Sequence, residues 1–199
     1  MPTKDAVVPH KERLLRAGIT LFYENGFHGT TIDSVLAEAG VPKGSFYHHF
    51  GSKDAFAQAV LNRYIQFQSQ MFSTWFARTD LSTAEQLTGY FTDMSQIFVK
   101  SGFRTACLTG KFSTEVGATS DYFRPQLAEQ IGMWKSQLST LLTAGQERGD
   151  IRLDRPAEDL ADTVLALIQG SFVLTLSTRD ERTLATVCTT IKELVEPQR

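Results

Sequence analysis

Apolar residues recur along this chain at spacings of three and four, and no stretch sustains strict apolar–polar alternation. That period belongs to helices buried by one face, so the pattern predicts an all-α protein of about nine helices. The strongest run follows Ser52. Phe56, Val60, Tyr64, Phe67, Met71 and Trp75 form one stripe, predicting a long helix over 52–78 with Ser52 as its cap. A first helix is expected from Pro9 to Glu24, turning Leu14, Ala17, Gly18, Leu21 and Phe22 inward. Asn25-Gly26 should stop it, with Phe27 folding back on the core. In "TTIDSVLAEAG", Thr30 and Asp33 have the spacing of a capping box, Ile32, Val35, Leu36 and Ala39 supply a face, and Gly40 ends the helix. Val41-Pro42 opens another short helix through about Tyr47. Two helices too short to persist alone, joined by a turn at Gly40, describe a helix-turn-helix.

Beyond Arg78 the helices lengthen. One buries Leu87, Tyr90, Phe91, Met94 and Phe98, and a shorter piece, Ala106 to Val116, follows a break at Gly102. A third carries Phe123, Leu127, Ile131, Trp134, Leu138 and Leu141 and closes at Gly149. Pro156 starts a fourth through Leu160, Val164, Leu167 and Phe172. The last runs over Leu184, Val187, Ile191 and Leu194. Residues 1–53 therefore read as a helix-turn-helix domain and 54–199 as a second helical domain, with the long helix running from one into the other and a soft boundary at 78–82.

Composition agrees with a globular protein: 42% hydrophobic, 21% charged. No unbroken run reaches the roughly 18 apolar residues of a membrane span. The start, "MPTKDAVVPHKERLL", lacks a signal-peptide core, so a cytoplasmic protein is expected. Cys107 and Cys188 are too few for a disulfide scaffold and belong to no metal-binding cluster, and neither metal nor cofactor is expected. Net charge is −2, yet residues 1–53 carry six Lys and Arg against five Asp and Glu. The mild asymmetry has the sign of an N-terminal end that meets an anion.

The densest chemistry lies in "VPKGSFYHHFGSKDAF". His48 and His49 are adjacent, so a helix points them about 100° apart, unable to chelate one ion. The stretch has one glycine of a phosphate loop and no preceding strand, and no nucleophile with an oriented base. An enzyme is not expected. Phe46 and Phe50, at i and i+4, belong to a core. Lys43, Gly44, Ser45, Tyr47 and His48 then face away from it, with Lys53 at the next helix start: donors around a small-residue entry, suited to phosphates and base edges.

In order and spacing, "GFHGTTIDSVLAEAGVPKGSFYHHFGSKDAF" resembles the DNA-binding domain of the TetR family of bacterial transcriptional regulators. The match covers about Glu12 to Leu61. The resemblance implies a homodimeric regulator, a repressor with an activator as the alternative, that holds double-stranded operator DNA with its first three helices. Its later helices would bind a small-molecule inducer and, through the last two, dimerise. It places operator contacts on Thr31, Lys43, Gly44, Ser45, Tyr47, His48, His49 and Lys53. Tyr47, Thr31, His49 and Lys53 would mostly position phosphates, while Lys43, Ser45 and His48 read bases.

A second stretch, "GFRTACLTGKFSTEVG", resembles a subgroup of the family that answers electrophiles, oxidants or small unsaturated acids, in which the cysteine matching Cys107 senses. A cysteine near a helix start gains thiolate character, to which Arg104 or Lys111 would add. The alternative is a small buried core residue. Where that subgroup has a lysine partner in the penultimate helix, "GSFVLTLSTRD" has Leu176 and no lysine, against a cysteine–lysine crosslink. Tyr90, Phe91, Phe98, Lys111, Phe112, Phe123 and Trp134 are carried over as pocket residues beside Cys107. Cys188 reads as packing. Ala161, Ala166, Gly170 and Ser171 would let helices approach closely at the dimer interface.

Overall fold

The computed structural model describes residues 8–198; Lys4 and Asp5, counted in the charge above, lie outside them. Among the described residues there is no strand. Nine helices follow in order: α1 His10–Gly29, α2 Ile32–Ala39, α3 Lys43–Phe50, α4 Lys53–Phe76, α5 Thr83–Lys100, α6 Leu108–Glu115, α7 Arg124–Arg148, α8 Ala157–Thr178 and α9 Arg182–Val195.

Local chemistry sets the boundaries, and three differ from expectation. α1 does not stop at Asn25. Gly26 takes φ +71° and ψ −178°, so the helix kinks there and resumes for one more turn. α2 starts one residue late: Thr31, not Thr30, is its cap. Thr31 Oγ1 accepts the Ser34 N–H at 3.0 Å and Ser34 Oγ accepts the Thr31 N–H at 3.1 Å. Thr30 is buried, and its hydroxyl is turned back to donate to the Gly26 carbonyl at 2.7 Å, away from the first N–H groups of α2. α3 runs on to Phe50. Ser52 caps α4 as expected, accepting the Ala55 N–H at 3.1 Å.

The α4 stripe breaks at Phe67, which is 55% exposed. Gln68 turns inward instead, and its amide donates to the Tyr64 hydroxyl at 2.6 Å. The reason is that α4 changes cores here. Residues up to Ile65 pack in one hydrophobic cluster and Phe72 belongs to the other.

The first cluster gathers Leu14, Phe22, Phe27, Phe46 and Phe56 of α1 to α4 with Leu108, Phe112, Phe123 and Leu127 from around α6 and α7. Phe22 meets Phe112 edge-on at 5.3 Å between centroids, and Phe27 meets Phe123 at 5.0 Å. The core beneath the helix-turn-helix therefore does not close at residue 53. The second cluster joins α5, α7, α8 and α9 through Phe91, Leu142, Leu160, Phe172 and Ile191. α8 is apolar enough to cross a membrane by length and composition, with mean hydropathy 1.5, a property that a search for unbroken apolar runs does not register. Here it is a core helix seated against α7 and α9, burying Leu160, Val164, Ile168 and Phe172.

Candidate nucleic-acid interface and ligand cavity

α3 is anchored by one side chain. Phe46 is fully buried and stacks on Phe56 at 5.1 Å, with half-buried Phe50 beside it. Lys43, Gly44, Tyr47, His48 and His49 are exposed, and so is Thr31 at the start of α2. Pro42 provides no side-chain cap; the Ser45 N–H donates to the Pro42 carbonyl at 3.0 Å, and the Lys43 and Gly44 N–H groups ahead of it meet no side-chain acceptor among the described residues. A Cβ added at Gly44 would meet nothing within 4 Å, so a partner backbone has room to approach.

Besides Thr31, whose hydroxyl oxygen caps α2, two more of the eight expected contacts are held by groups of α1. Ser45 is half-buried, with Oγ 3.1 Å from His10 Nδ1 on α1. Lys53 lies with its ammonium 4.5 Å over the Phe27 ring, and burial pulls its pKa down while Asp54 and Glu115 oppose that. Lys43 makes only an exposed ion pair, 3.5 Å from Asp33, of little strength in water. Sequence reasoning missed Arg13, whose guanidinium donates to the Gly40 carbonyl at 2.9 Å and ties α1 to the turn. Its single charge in an ordinary helix gave no signal.

A cavity of about 710 Å³ opens between α1, α6, α7 and α8, walled by Tyr23, Cys107, Gly110, Trp134, Gln169 and Phe172, with Glu24, Arg104, Lys111 and Arg179 among its charged groups. Behind it a chamber of about 20 Å³ is lined by Tyr64, Gln68, Tyr90 and Met94. Cys107, Trp134, Leu165 and Gln169 border both. Gln68 Oε1 and Trp134 Nε1 are buried without a hydrogen-bond partner among the described residues. Of the pocket residues carried over from the resemblance, Cys107, Lys111 and Trp134 line the main cavity and Tyr90 the chamber. Phe98, Phe112 and Phe123 are core, and Phe91 lines a separate groove against α9. The missed lining residues come from segments far apart in the chain, so no local spacing marks them.

Cys107 caps α6, its sulfur accepting the Gly110 N–H at 3.3 Å. The expected thiolate character is not what its surroundings favour. Burial pushes the thiol up, and the Gly110 N–H and the side chains of Tyr64 and Gln169 only partly offset it. The two cations expected to help are occupied elsewhere. Arg104 donates to the Ser101 carbonyl at 2.9 Å, and Lys111 to the Tyr23 carbonyl at 2.7 Å. Cys188 is half-buried, its sulfur 3.9 Å from the Thr88 carbonyl, at the edge of the second core.

A helix-turn-helix with an exposed second helix, joined to a helical bundle around a cavity, defines a DNA-binding protein of the helix-turn-helix class. Two family models cover most of the chain: bacterial regulatory proteins of the tetR family match residues 14–60, and the tetracyclin repressor-like C-terminal domain matches residues 83–191. The chain belongs to the TetR family of bacterial transcriptional regulators. It is 31% identical to the HTH-type transcriptional repressor DhaR of a Mycobacterium species, over 96% of this chain and 95% of that one. It is 30% identical to the transcriptional regulator AcuR of Cereibacter sphaeroides, over 79% and 72%. The reduced form of Escherichia coli NemR superposes with a TM-score of 0.86 at 27% identity, covering 94% of this chain and 96% of that one. These relatives are transcriptional regulators, not enzymes.

Proposed function

We propose that this chain is a homodimeric repressor, acting in the cytoplasm, whose hold on operator DNA is released when a small molecule occupies the cavity beside Cys107. The observation that carries this reading is the place of Cys107. It borders both cavity and chamber and caps α6, which packs on α1 of the DNA-binding head. Names of the relatives DhaR and NemR support repression. On the DNA side, Lys43 and His48 read bases and Tyr47, Thr31 and His49 hold phosphates. Gly44 admits the backbone, and Ser45 and Lys53 join after releasing His10 and Phe27. Two heads bind half-sites about 34–36 Å apart, so a small change in their separation misplaces every contact at once.

The dimer is supported by α8. Its outer side exposes Ala166, Gly170, Val173 and Leu174, an apolar strip with room for a second helix, while Ala161 and Ser171 are buried within the chain itself. Together with α9 it forms a four-helix contact with the partner.

An alkylating ligand acts by adding the Cys107 sulfur across its activated C=C bond: the S–C bond forms and the thiol proton ends on the neighbouring carbon. A non-covalent ligand acts through the same cavity, where Trp134 Nε1 offers a donor, and Gln68 Oε1 in the adjoining chamber offers an acceptor. The test is a gel shift of wild type and Cys107→Ser on the DNA upstream of the protein's own gene, with and without N-ethylmaleimide. Serine still caps α6. Both proteins should bind, and only the wild type should be released. Equal release of both would remove Cys107 from the mechanism.

A further inference from the structure

The geometry points to Glu115 as a positioning residue for DNA binding, a carboxylate supplied by α6 that holds the entry to the helix-turn-helix in its binding pose. The inference rests on the DNA-binding role of α2 and α3. The kink at Gly26 creates the need. A helical turn that restarts after a break has N–H groups with no carbonyl one turn behind them. Here the Phe27 N–H donates to Glu115 Oε2 at 2.8 Å and the His28 N–H to Glu115 Oε1 at 2.7 Å. One carboxylate thus uses both oxygens on successive backbone donors almost ninety residues away in sequence, and such charge-assisted bonds are the stronger kind.

The head is shaped around this group. Gly26 is in the left-handed region, and a Cβ there would stand 2.5 Å from Glu115 Oε2. On the other side of Phe27 lies the Lys53 ammonium, 4.5 Å over its ring. Phe27 is therefore held by its N–H from α6 and, until Lys53 turns to DNA, by its ring from the start of α4 as well. Two residues past His28, the Thr30 hydroxyl donates back to the Gly26 carbonyl, and the next residue, Thr31, caps α2. The direction in which α2, and α3 behind it, leave the core follows from this turn. α6 has eight residues, about 12 Å at ~1.5 Å per residue. Cys107 caps one end and Glu115 closes the other, so any displacement at the cavity reaches the head through one short rigid helix.

A merely stabilising Glu115 would lower folding stability without altering how folded protein sorts DNA. The experiment uses the full chain and a duplex recovered by wild type from a random-sequence pool. Binding to it and to an unrelated duplex is measured by fluorescence anisotropy, with thermal unfolding in parallel. Glu115→Gln keeps the volume but turns an NH₂ group toward a backbone donor. It should weaken binding to the selected duplex about tenfold to hundredfold, the range of one charge-assisted hydrogen bond. Binding to unrelated DNA should change less than about threefold, since it rests on phosphate charge alone. Glu115→Asp keeps the charge one methylene short and should recover part of the loss with the same asymmetry, and it serves alone if the Gln variant does not fold. Wild-type affinity in a folded Gln variant, or in the Asp variant where Gln does not fold, overturns the proposal. So does an equal loss on both duplexes. A wild type that recovers no duplex refutes the DNA-binding role instead.

Discussion

α3 and α6 are both eight-residue helices, and they are built in opposite ways. α3 buries one aromatic, has no side-chain cap at its start, and turns nearly every other side chain outward. α6 is capped by a sulfur and buries Leu108, Thr109 and Phe112. Lys111 and Glu115 bond the backbone of α1, and the Thr109 hydroxyl donates to Gln130 Oε1 on α7 at 2.8 Å. One helix is a surface whose polar groups await a partner; the other is a strut whose polar groups are already used. Conspicuous residue types therefore mislead: the histidine pair of α3 sits exposed on the surface, while the buried thiol of Cys107 caps the less conspicuous helix.

The sharpest way to break the comparison is to remove one aromatic anchor from each helix. Phe46→Ala and Phe112→Ala should each cost about 3–5 kcal/mol in urea unfolding, because both rings are fully buried. If α6 is the strut described here, Phe112→Ala should also loosen DNA binding by the protein that remains folded. Unchanged affinity would uncouple the two helices. Next in size is Lys43→Ala, expected to weaken specific binding tenfold or more, about 1–3 kcal/mol, with stability altered by no more than ~0.5 kcal/mol. Tyr47→Phe should cost about 1 kcal/mol of binding, as one hydroxyl contact does. A stability loss larger than the binding loss in either variant would mean that α3 is core rather than surface.

A smaller effect is the pH response of the sulfur. Cys107 is held above its ordinary pKa by burial. Its alkylation rate should therefore keep rising about tenfold per pH unit past ~8.5, where an exposed thiol levels off. The same shift has a stability sign. A thiol whose folded pKa is raised contributes stability below the unfolded pKa of about 8.5, and that contribution is lost as pH rises toward the folded value. Cys107→Ser should flatten the alkaline decline in melting temperature. The smallest effect belongs to Phe67→Gln, on the exposed side of α4, which should move stability by no more than about 0.5 kcal/mol.

Helix number and order were legible because periodicity and caps are local. Gly40, Ser52, Pro156 and Gly149 end or begin helices as their chemistry requires. Where two adjacent residues compete for one role, local spacing fails. Thr30 and Thr31 are both able to cap, and the burial of Thr30, with its hydroxyl turned back to the Gly26 carbonyl, decides. The exposed face of α3 was legible through Phe46 and Phe50, which fix what points away from them. The cavity was not, because Tyr23, Arg104, Gln169 and Arg179 meet only after folding. Nor was the state of Cys107, since a position at a helix start is visible in sequence and its burial is not.

The ring of phenylalanines under the DNA-binding head has a consequence for modularity. Phe22 and Phe27 complete their packing on Phe112 and Phe123, which the chain supplies some ninety residues later. A head cut out after α4 would leave that aromatic face bare to water. Transplanting this specificity onto another sensor therefore requires moving α6 and the start of α7 with it, so the unit that can be inherited or engineered intact is discontinuous in the gene.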